Sequence, residues 1–251
     1  MKRFKTCFFT IVDDRYYYPI GTHIMANSFK RFHPNIDLIV FRQDMIDKVF
    51  KEKGINFYQA KPTFAKLLVE KYDRIINIDA DTIILARLDE VLDTQWDFGA
   101  VWNYNDYENA SFSTIMPEMY VQAGMVGATN PRFWDIWEEQ NKKAMDYVRQ
   151  ENDVLNIVWY KHPYTRRMDR LIWDRAENYL GCKSLGREAE FYIENGKVMC
   201  RDEQVKAYHW ARGGRNLPKM DWEQLPLSEE VKIYFNDVGT KGITKYYGKF
   251  L

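Results

Sequence analysis

Asp79 and Asp81 stand one residue apart at the end of an apolar run, Ile75, Ile76 and Ile78, and a second apolar run, 83–85, follows them. Side chains two apart on a strand point the same way, so where the strand frays into a loop the two carboxylates can converge on one hard cation. A divalent ion held there could carry a diphosphate. With 20 Asp in 251 residues, composition alone gives roughly one or two Asp-x-Asp triplets, so the triplet by itself says little. Its place says more, because most chance pairs fall in polar loops and this one closes an apolar strand. A second polar group follows the first apolar run: Thr10, then Asp13 and Asp14, then Tyr16, Tyr17 and Tyr18. A strand end with a tyrosine face suits a nucleobase, the ring stacking and the strand end supplying hydrogen bonds; the alternative is that the tyrosines pack the first helix onto the sheet.

These residues need a scaffold, and the alternation of patterns supplies one. Strand-like runs at 7–12 and Asp37–Phe41 alternate with helical runs at 19–32 and 45–53. A short strand at 56–58, a helix opened by Pro62 and Thr63 and ending near Tyr72, and the Asp-x-Asp strand follow. That rhythm predicts an α/β fold with a mostly parallel sheet, in which ligands bind outside the carboxyl ends of the strands, where Asp13, Asp14, Asp79 and Asp81 would lie. Beyond it the sequence predicts a strand at Phe98–Trp102, a surface loop over the site at 103–119, a strand at 120–128, an amphipathic helix from Asn130-Pro131 and a helix at 154–159. A hairpin turned at Asn195-Gly196, a strand ending at His209 and a polar, aromatic tail at 229–251 complete the chain.

The bulk numbers narrow the function classes. At 251 residues and 30.1 kDa, with no internal repeat or linker, the chain reads as one domain over 1–251. Lys+Arg 36 against Asp+Glu 36 leaves no net charge, which argues against a nucleic-acid scaffold or a polybasic membrane anchor but permits local basic patches. Cys7, Cys182 and Cys200 are far apart and form no C-x-x-C pair, so neither a disulfide framework nor a zinc site is indicated, and a reducing, cytoplasmic setting fits. No run approaches the ~18 apolar residues of a transmembrane helix, so a soluble protein is expected. Aromatics at 16% offer flat surfaces for sugar rings or bases, though most should pack the core.

Over about residues 5–215 the chain resembles the retaining family 8 glycosyltransferases of the GT-A fold, which include glycogenin and bacterial lipooligosaccharide galactosyltransferases. Five stretches carry the resemblance in family order: Thr10 to Tyr17; Lys66 with Ile78-Asp79-Ala80-Asp81-Thr82 and Leu88-Asp89-Glu90-Val91-Leu92; Val121-Gln122-Ala123-Gly124-Met125; Glu151-Asn152-Asp153-Val154-Leu155-Asn156; and His209-Trp210-Ala211-Arg212-Gly213-Gly214-Arg215. Gln122 stands where the family has Asn, Glu151 and Asn152 where it has Asp and Gln, and the glycine after His209 is displaced by one.

The resemblance implies transfer of a sugar, with retention, from a nucleoside diphosphate sugar (a UDP-sugar foremost) to a carbohydrate or glycoconjugate hydroxyl. It implies a metal site of Asp79, Asp81 and His209 holding Mn²⁺, with Mg²⁺ the alternative. It assigns donor binding to Thr10, Asp13, Asp14, Tyr17, Lys66, Asp79, Ala80, Asp81, Asn103, Gln122, Ala123, Gly124, Arg212, Gly213 and Arg215. Glu151, Asn152 and Asp153 would face the reacting sugar, Asn152 as an electrostatic prop for front-face attack, since a neutral amide is a poor nucleophile. Independently of the resemblance, Lys232, Lys241, Lys245 and Tyr246 would let the tail 229–251 close over the diphosphate as a lid, the alternative being a tail docked permanently by Ile233, Tyr234 and Phe235. A nucleotidyltransferase expects a glycine-rich basic loop after the first strand, which Asp13-Asp14-Arg15-Tyr16 is not. A non-catalytic sugar-binding module would need no metal cluster.

Overall fold

The structure, a computed structural model, describes residues 4–12, 18–102, 120–144, 151–174, 177, 179–180, 191–200 and 202–209. Asp13, Asp14, Tyr16 and Tyr17, the loop 103–119 with Asn103, the segment carrying Arg212, Gly213 and Arg215, and the tail 229–251 lie outside the described residues.

In chain order the elements are β1 (Thr6–Ile11), α1 (Tyr18–Phe32), β2 (Asp37–Phe41), α2 (Gln43–Lys53), α3 (Ala60–Lys66), β3 (Arg74–Ile78), β4 (Thr82–Ile84), α4 (Asp89–Asp93), β5 (Phe98–Trp102) and β6 (Val121–Ala128). There follow α5 (Arg132–Ala144), α6 (Glu151–Lys161), β7 (Arg170–Trp173), β8 (Tyr179–Leu180), β9 (Phe191–Glu194), β10 (Lys197–Cys200), β11 (Glu203–Gln204) and β12 (Ala207–His209). By its internal contacts the chain divides into two compact units: Met1–Ile11, Ile36–Asp79 and Asp89–Arg175 form the first; Val12–Asn35, Ala80–Leu88 and Ala176–Leu251 the second.

The first unit is built on a six-stranded sheet of order β2-β1-β3-β6-β5-β7. β2, β1 and β3 run parallel, β6 lies antiparallel between β3 and β5, and β7 runs parallel to β5. Alternation along β1 turns Cys7, Phe9 and Ile11 into one core with the apolar stripe of α5, where Phe133, Trp134, Ile136 and Trp137 are all buried. Burial also pushes the Cys7 thiol up to about 12, which leaves it inert. Gly99 is dictated by close approach, since a Cβ there would lie 2.4 Å from the Trp173 ring on β7.

Two expectations change at α3. The predicted strand at 56–58 is a 3-10 turn, Phe57–Gln59, because Asn56 and Gln59 bond each other: the Gln59 N–H donates to the Asn56 carbonyl and the Asn56 N–H to Gln59 Oε1. The helix starts at Ala60, putting Pro62 in its first turn, where a missing N–H costs nothing. It ends at Lys66 rather than near Tyr72, as the amides of Leu67 and Leu68 reach back only three residues, to Phe64 and Ala65.

On its outer side α3 is hooked to α5. Glu138 accepts from the Thr63 hydroxyl and from Lys66 Nζ, each at 2.8 Å. Burial would raise the Glu138 pKa, but these hydrogen bonds outweigh it and hold the carboxyl below its usual range. A depressed carboxyl pKa stabilises the fold above the unfolded value, about 4.3, and that stabilisation is lost as pH falls through the folded value. Glu138→Gln should therefore cost about 1 kcal/mol near pH 7, held to that by the part-exposed Lys66, and almost nothing in acid. Urea midpoints at both pH values check it; an equal gap at the two would contradict the charge argument.

In the second unit β4 pairs antiparallel with β12, which pairs parallel with β8. α1 pins the β4 segment: the Ile84 N–H donates to Ser28 Oγ at 3.0 Å and the Leu88 N–H to His33 Nε2 at 3.1 Å. β9, β10 and β11 form a separate antiparallel sheet. Its hairpin turns at Asn195 and Gly196, with φ of 50° and 73°, the positive pair a two-residue turn of this hand requires. Among the described residues, no helix is long and apolar enough to cross a membrane.

Candidate active site

Asp79 sits where the β3 ladder ends. Ile78 is paired with Met125 of β6, and the Asp79 N–H donates to the Gly124 carbonyl at 2.9 Å, so the carboxylate leaves the sheet at a fixed height. Its Oδ1 is 2.8 Å from Lys61 Nζ. The same nitrogen is 2.7 Å from Glu151 Oε1 and donates to the Ala123 carbonyl at 2.8 Å, so all three donors of this ammonium are used. Lys61 is 6% exposed. Burial alone would favour its neutral form, but Asp79 and Glu151, by charge and by hydrogen bonding, reverse this and push its pKa above the ordinary lysine value.

The start of α6 is stitched to β6 by side chains that imitate a strand. Asn152 Oδ1 accepts the Ala123 N–H at 2.7 Å. One turn later, Asn156 takes the Val121 N–H at 3.0 Å on Oδ1 and returns a bond from Nδ2 to the Val121 carbonyl at 2.8 Å. Positions four apart on the helix thus meet positions two apart on the strand, next to the register shift between Ala100 and Val101 of β5. Asp153, 1% exposed, accepts the Tyr120 hydroxyl at 2.8 Å on Oδ1, while its Oδ2 has no hydrogen-bond partner among the described residues. Gln122 is buried between these anchors. Asp79, Gln122, Ala123, Gly124, Glu151, Asn152 and Asp153, distant in sequence, are therefore neighbours through short contacts within the first unit.

After Ala80, which is buried, Asp81 is 6% exposed and its Oδ1 is 2.9 Å from His209 Nε2. The β4–β12 register sets this contact, because His209 pairs with Thr82, the residue following Asp81. One ligand atom from each of Asp79, Asp81 and His209 lies within 4.8 Å of the others. Two carboxylate oxygens and an imidazole nitrogen are a donor set that fits a divalent cation, and the nitrogen suits Mn²⁺ better than Mg²⁺.

No protein-family model matches the chain, and no curated protein matches it in sequence. Solved structures do. The galactosyltransferase LgtC in complex with donor and acceptor sugar analogs superposes with a TM-score of 0.53 at 15% identity, over 81% of this chain and 86% of that one. The bifunctional glycosyltransferase WbbM gives 0.58 at 14% identity, and the glycosyltransferase GlyE of Streptococcus pneumoniae TIGR4 gives 0.55 at 12%. This chain is covered to 99% and 95% in those two comparisons but spans only 52% of the WbbM chain and 64% of the GlyE chain. The fold is GT-A.

Within this GT-A chain the remaining expected site residues fall differently. Thr10 is fully buried on β1, its hydroxyl lacking a hydrogen-bond partner among the described residues. Lys66 does not stand at Asp79. It is tied to Glu138 at 2.8 Å and Asp135 at 3.0 Å on the outer side of α3, and the cation beside Asp79 is Lys61. Five residues apart, the two lysines point roughly 140° apart around the helix. A sequence signal for Lys61 exists: it is spaced 3, 4 and 7 residues from Phe64, Ala65 and Leu68, so it occupies a position of the buried stripe. Asn156 is the other residue that reading by motif leaves without a role.

Proposed function

We propose that the chain is a single metal-dependent glycosyltransferase domain that moves a sugar from a nucleoside diphosphate, foremost UDP, to a carbohydrate or glycoconjugate hydroxyl with retention of anomeric configuration. The observation that carries the reading is the Asp79, Asp81 and His209 donor set at the end of a sheet strand in a GT-A fold. A Mn²⁺ ion bound by these three would supply Lewis-acid stabilisation of the departing diphosphate. The chain's own residues prepare the place. Lys61 fixes the carboxylates of Asp79 and Glu151 in place, and its bond to the Ala123 carbonyl ties both to β6. Asn152 Oδ1 accepts the Ala123 N–H, which leaves the NH2 of the amide as its donor group. This pairing supports a role for Asn152 as an electrostatic prop that donates to a sugar hydroxyl over a role as nucleophile. Asp153, buried and half-satisfied, positions Tyr120 from behind. Among the neighbours, LgtC is a galactosyltransferase and another is a mouse xyloside xylosyltransferase, so hexose and pentose donors both belong in the test.

The test is incubation with a panel of UDP-hexoses and UDP-pentoses, with and without Mn²⁺. UDP release that requires the metal is expected from at least one donor, and proton NMR of the fresh product should show the donor's own anomeric coupling. An inverted anomer would overturn the retaining assignment. Pyrophosphate instead of UDP as the released group would point to nucleotidyl transfer.

A further inference from the structure

An arginine lies over each of two tyrosines on the first unit, at the end of α6 away from Glu151, and further exposed cations follow α6 in the chain. Lys161 closes α6, and the 3-10 turn Thr165–Arg167 that follows sets Arg166 and Arg167 side by side in solvent. Arg170, opening β7, donates to the Trp159 carbonyl at 2.6 Å and lies 5.6 Å over the Tyr160 ring. Arg132, opening α5, lies 5.8 Å over Tyr164, whose side chain is 54% exposed.

Part of this has an ordinary cause: a helix C-terminus attracts cations, and Arg170 holds one of the last carbonyls of α6. Lys161, in the last turn of α6, shares that cause, but Arg166 and Arg167, in the turn beyond it, do not. None of their side chains makes a hydrogen bond or ion pair with a described residue. The nearby acids are mostly engaged: Glu139 with Lys143 at 2.5 Å, and Asp135 with Lys66 at 3.0 Å and Arg132 at 3.7 Å. Two further acids stand there, Asp169 and Asp97, the Asp169 N–H donating to Asp97 Oδ2 at 2.9 Å. Since the whole chain has no net charge, this excess is a feature of the surface and not of the composition.

We propose that this surface docks the protein onto an anionic lipid bilayer. Guanidinium groups match phosphates in a bidentate way, and here they come from the start of α5, the turn after α6 and the start of β7, two of them each over a separate tyrosine ring, which suits a plane of headgroups better than one enclosed phosphate. An exposed tyrosine settles at the headgroup level, apolar ring inward and hydroxyl to water. Each basic side chain near an anionic leaflet adds attraction that salt screens within a Debye length. α6, 11 residues and roughly 16 Å long, separates the patch from Glu151, so docking leaves that end uncovered. The inference does not depend on the sugar-transfer reading.

Sedimentation with vesicles tests it, using phosphatidylcholine alone and phosphatidylcholine mixed with phosphatidylglycerol. The protein should pellet with the mixed vesicles at low salt, stay in solution with the neutral ones, and be released by added salt. The double variant Arg166→Gln, Arg167→Gln should bind the mixed vesicles about tenfold more weakly or worse, with an unchanged thermal melt, because both side chains are exposed and unengaged. Three results would each overturn the proposal: no pelleting with anionic vesicles, undiminished pelleting of the double variant, or equal binding to a soluble polyphosphate, which would make free anions the ligand.

Discussion

Asp81→Asn is expected to abolish Mn²⁺-supported UDP binding while leaving the metal-free protein folded. The side chain is buried and one of its contacts is His209 on β12; asparagine is nearly isosteric, so the change removes charge at the strand end and keeps the packing. Asparagine keeps the shape and a neutral acceptor but removes one of two anionic ligands, and manganese affinity should fall by about a hundredfold or more. The fold tolerates the change because His209 Nε2 can donate to an amide oxygen as it can to a carboxylate. Asp79→Asn should weaken the metal as much but also lower the melting temperature, since it takes a partner from buried Lys61. Calorimetric titration of UDP with and without Mn²⁺, beside a thermal melt of each apo-variant, separates the two. Unchanged manganese-dependent affinity in Asp81→Asn would sink the metal assignment.

The contrast between these aspartates shows what a sequence makes legible. The strand and both carboxylates are readable because a run of isoleucines ending in Asp-x-Asp combines two local signals, strand propensity and side-chain alternation. The sheet follows from the same kind of signal, and β2 and β5 match the predicted bounds residue for residue. α3 is less legible because its neighbours decide it. Asn56 and Gln59 close a turn that local β propensity does not foresee, and the chain after Lys66 leaves the helix without a proline or glycine to announce it. His209 is legible only through the order of motifs, since nothing within its own segment brings it to Asp81; the β4–β12 pairing does that. Lys66 and Lys61 show the same limit. Both are basic residues on one helix, and only the direction of the apolar stripe, fixed by what α3 packs on, separates an outer ion pair from the cation that holds the site.

Lys61→Met is expected to carry the largest stability cost of any single change at the site. Methionine matches the length and the apolar stem but leaves Asp79 and Glu151, now without the ammonium they shared, facing each other, and leaves the Ala123 carbonyl without its donor. Breaking one side of a buried ion pair costs about 3–5 kcal/mol, which for a chain of this size lowers the melting temperature by roughly 6–20 °C. The pH dependence gives the sign. In the native protein the raised Lys61 pKa means that its stabilisation is fully present below the unfolded lysine value, about 10.4, and is lost only as pH rises through the folded one. Between pH 5 and 9 that contribution is flat. In the variant two like charges share a site, which raises the proton affinity of one of them, so acid relieves the repulsion and the gap to wild type narrows as pH falls toward 5. Manganese affinity should be retained, because Asp79 no longer divides its charge between a lysine and the metal, while turnover collapses as Glu151 and Asn152 lose their anchor to β6. A melting temperature at pH 8 within about 2 °C of wild type would show that the three contacts of Lys61 contribute no net stability. Lost manganese binding together with an unchanged melt would make Lys61 a contributor to the metal site itself instead of the residue that positions it.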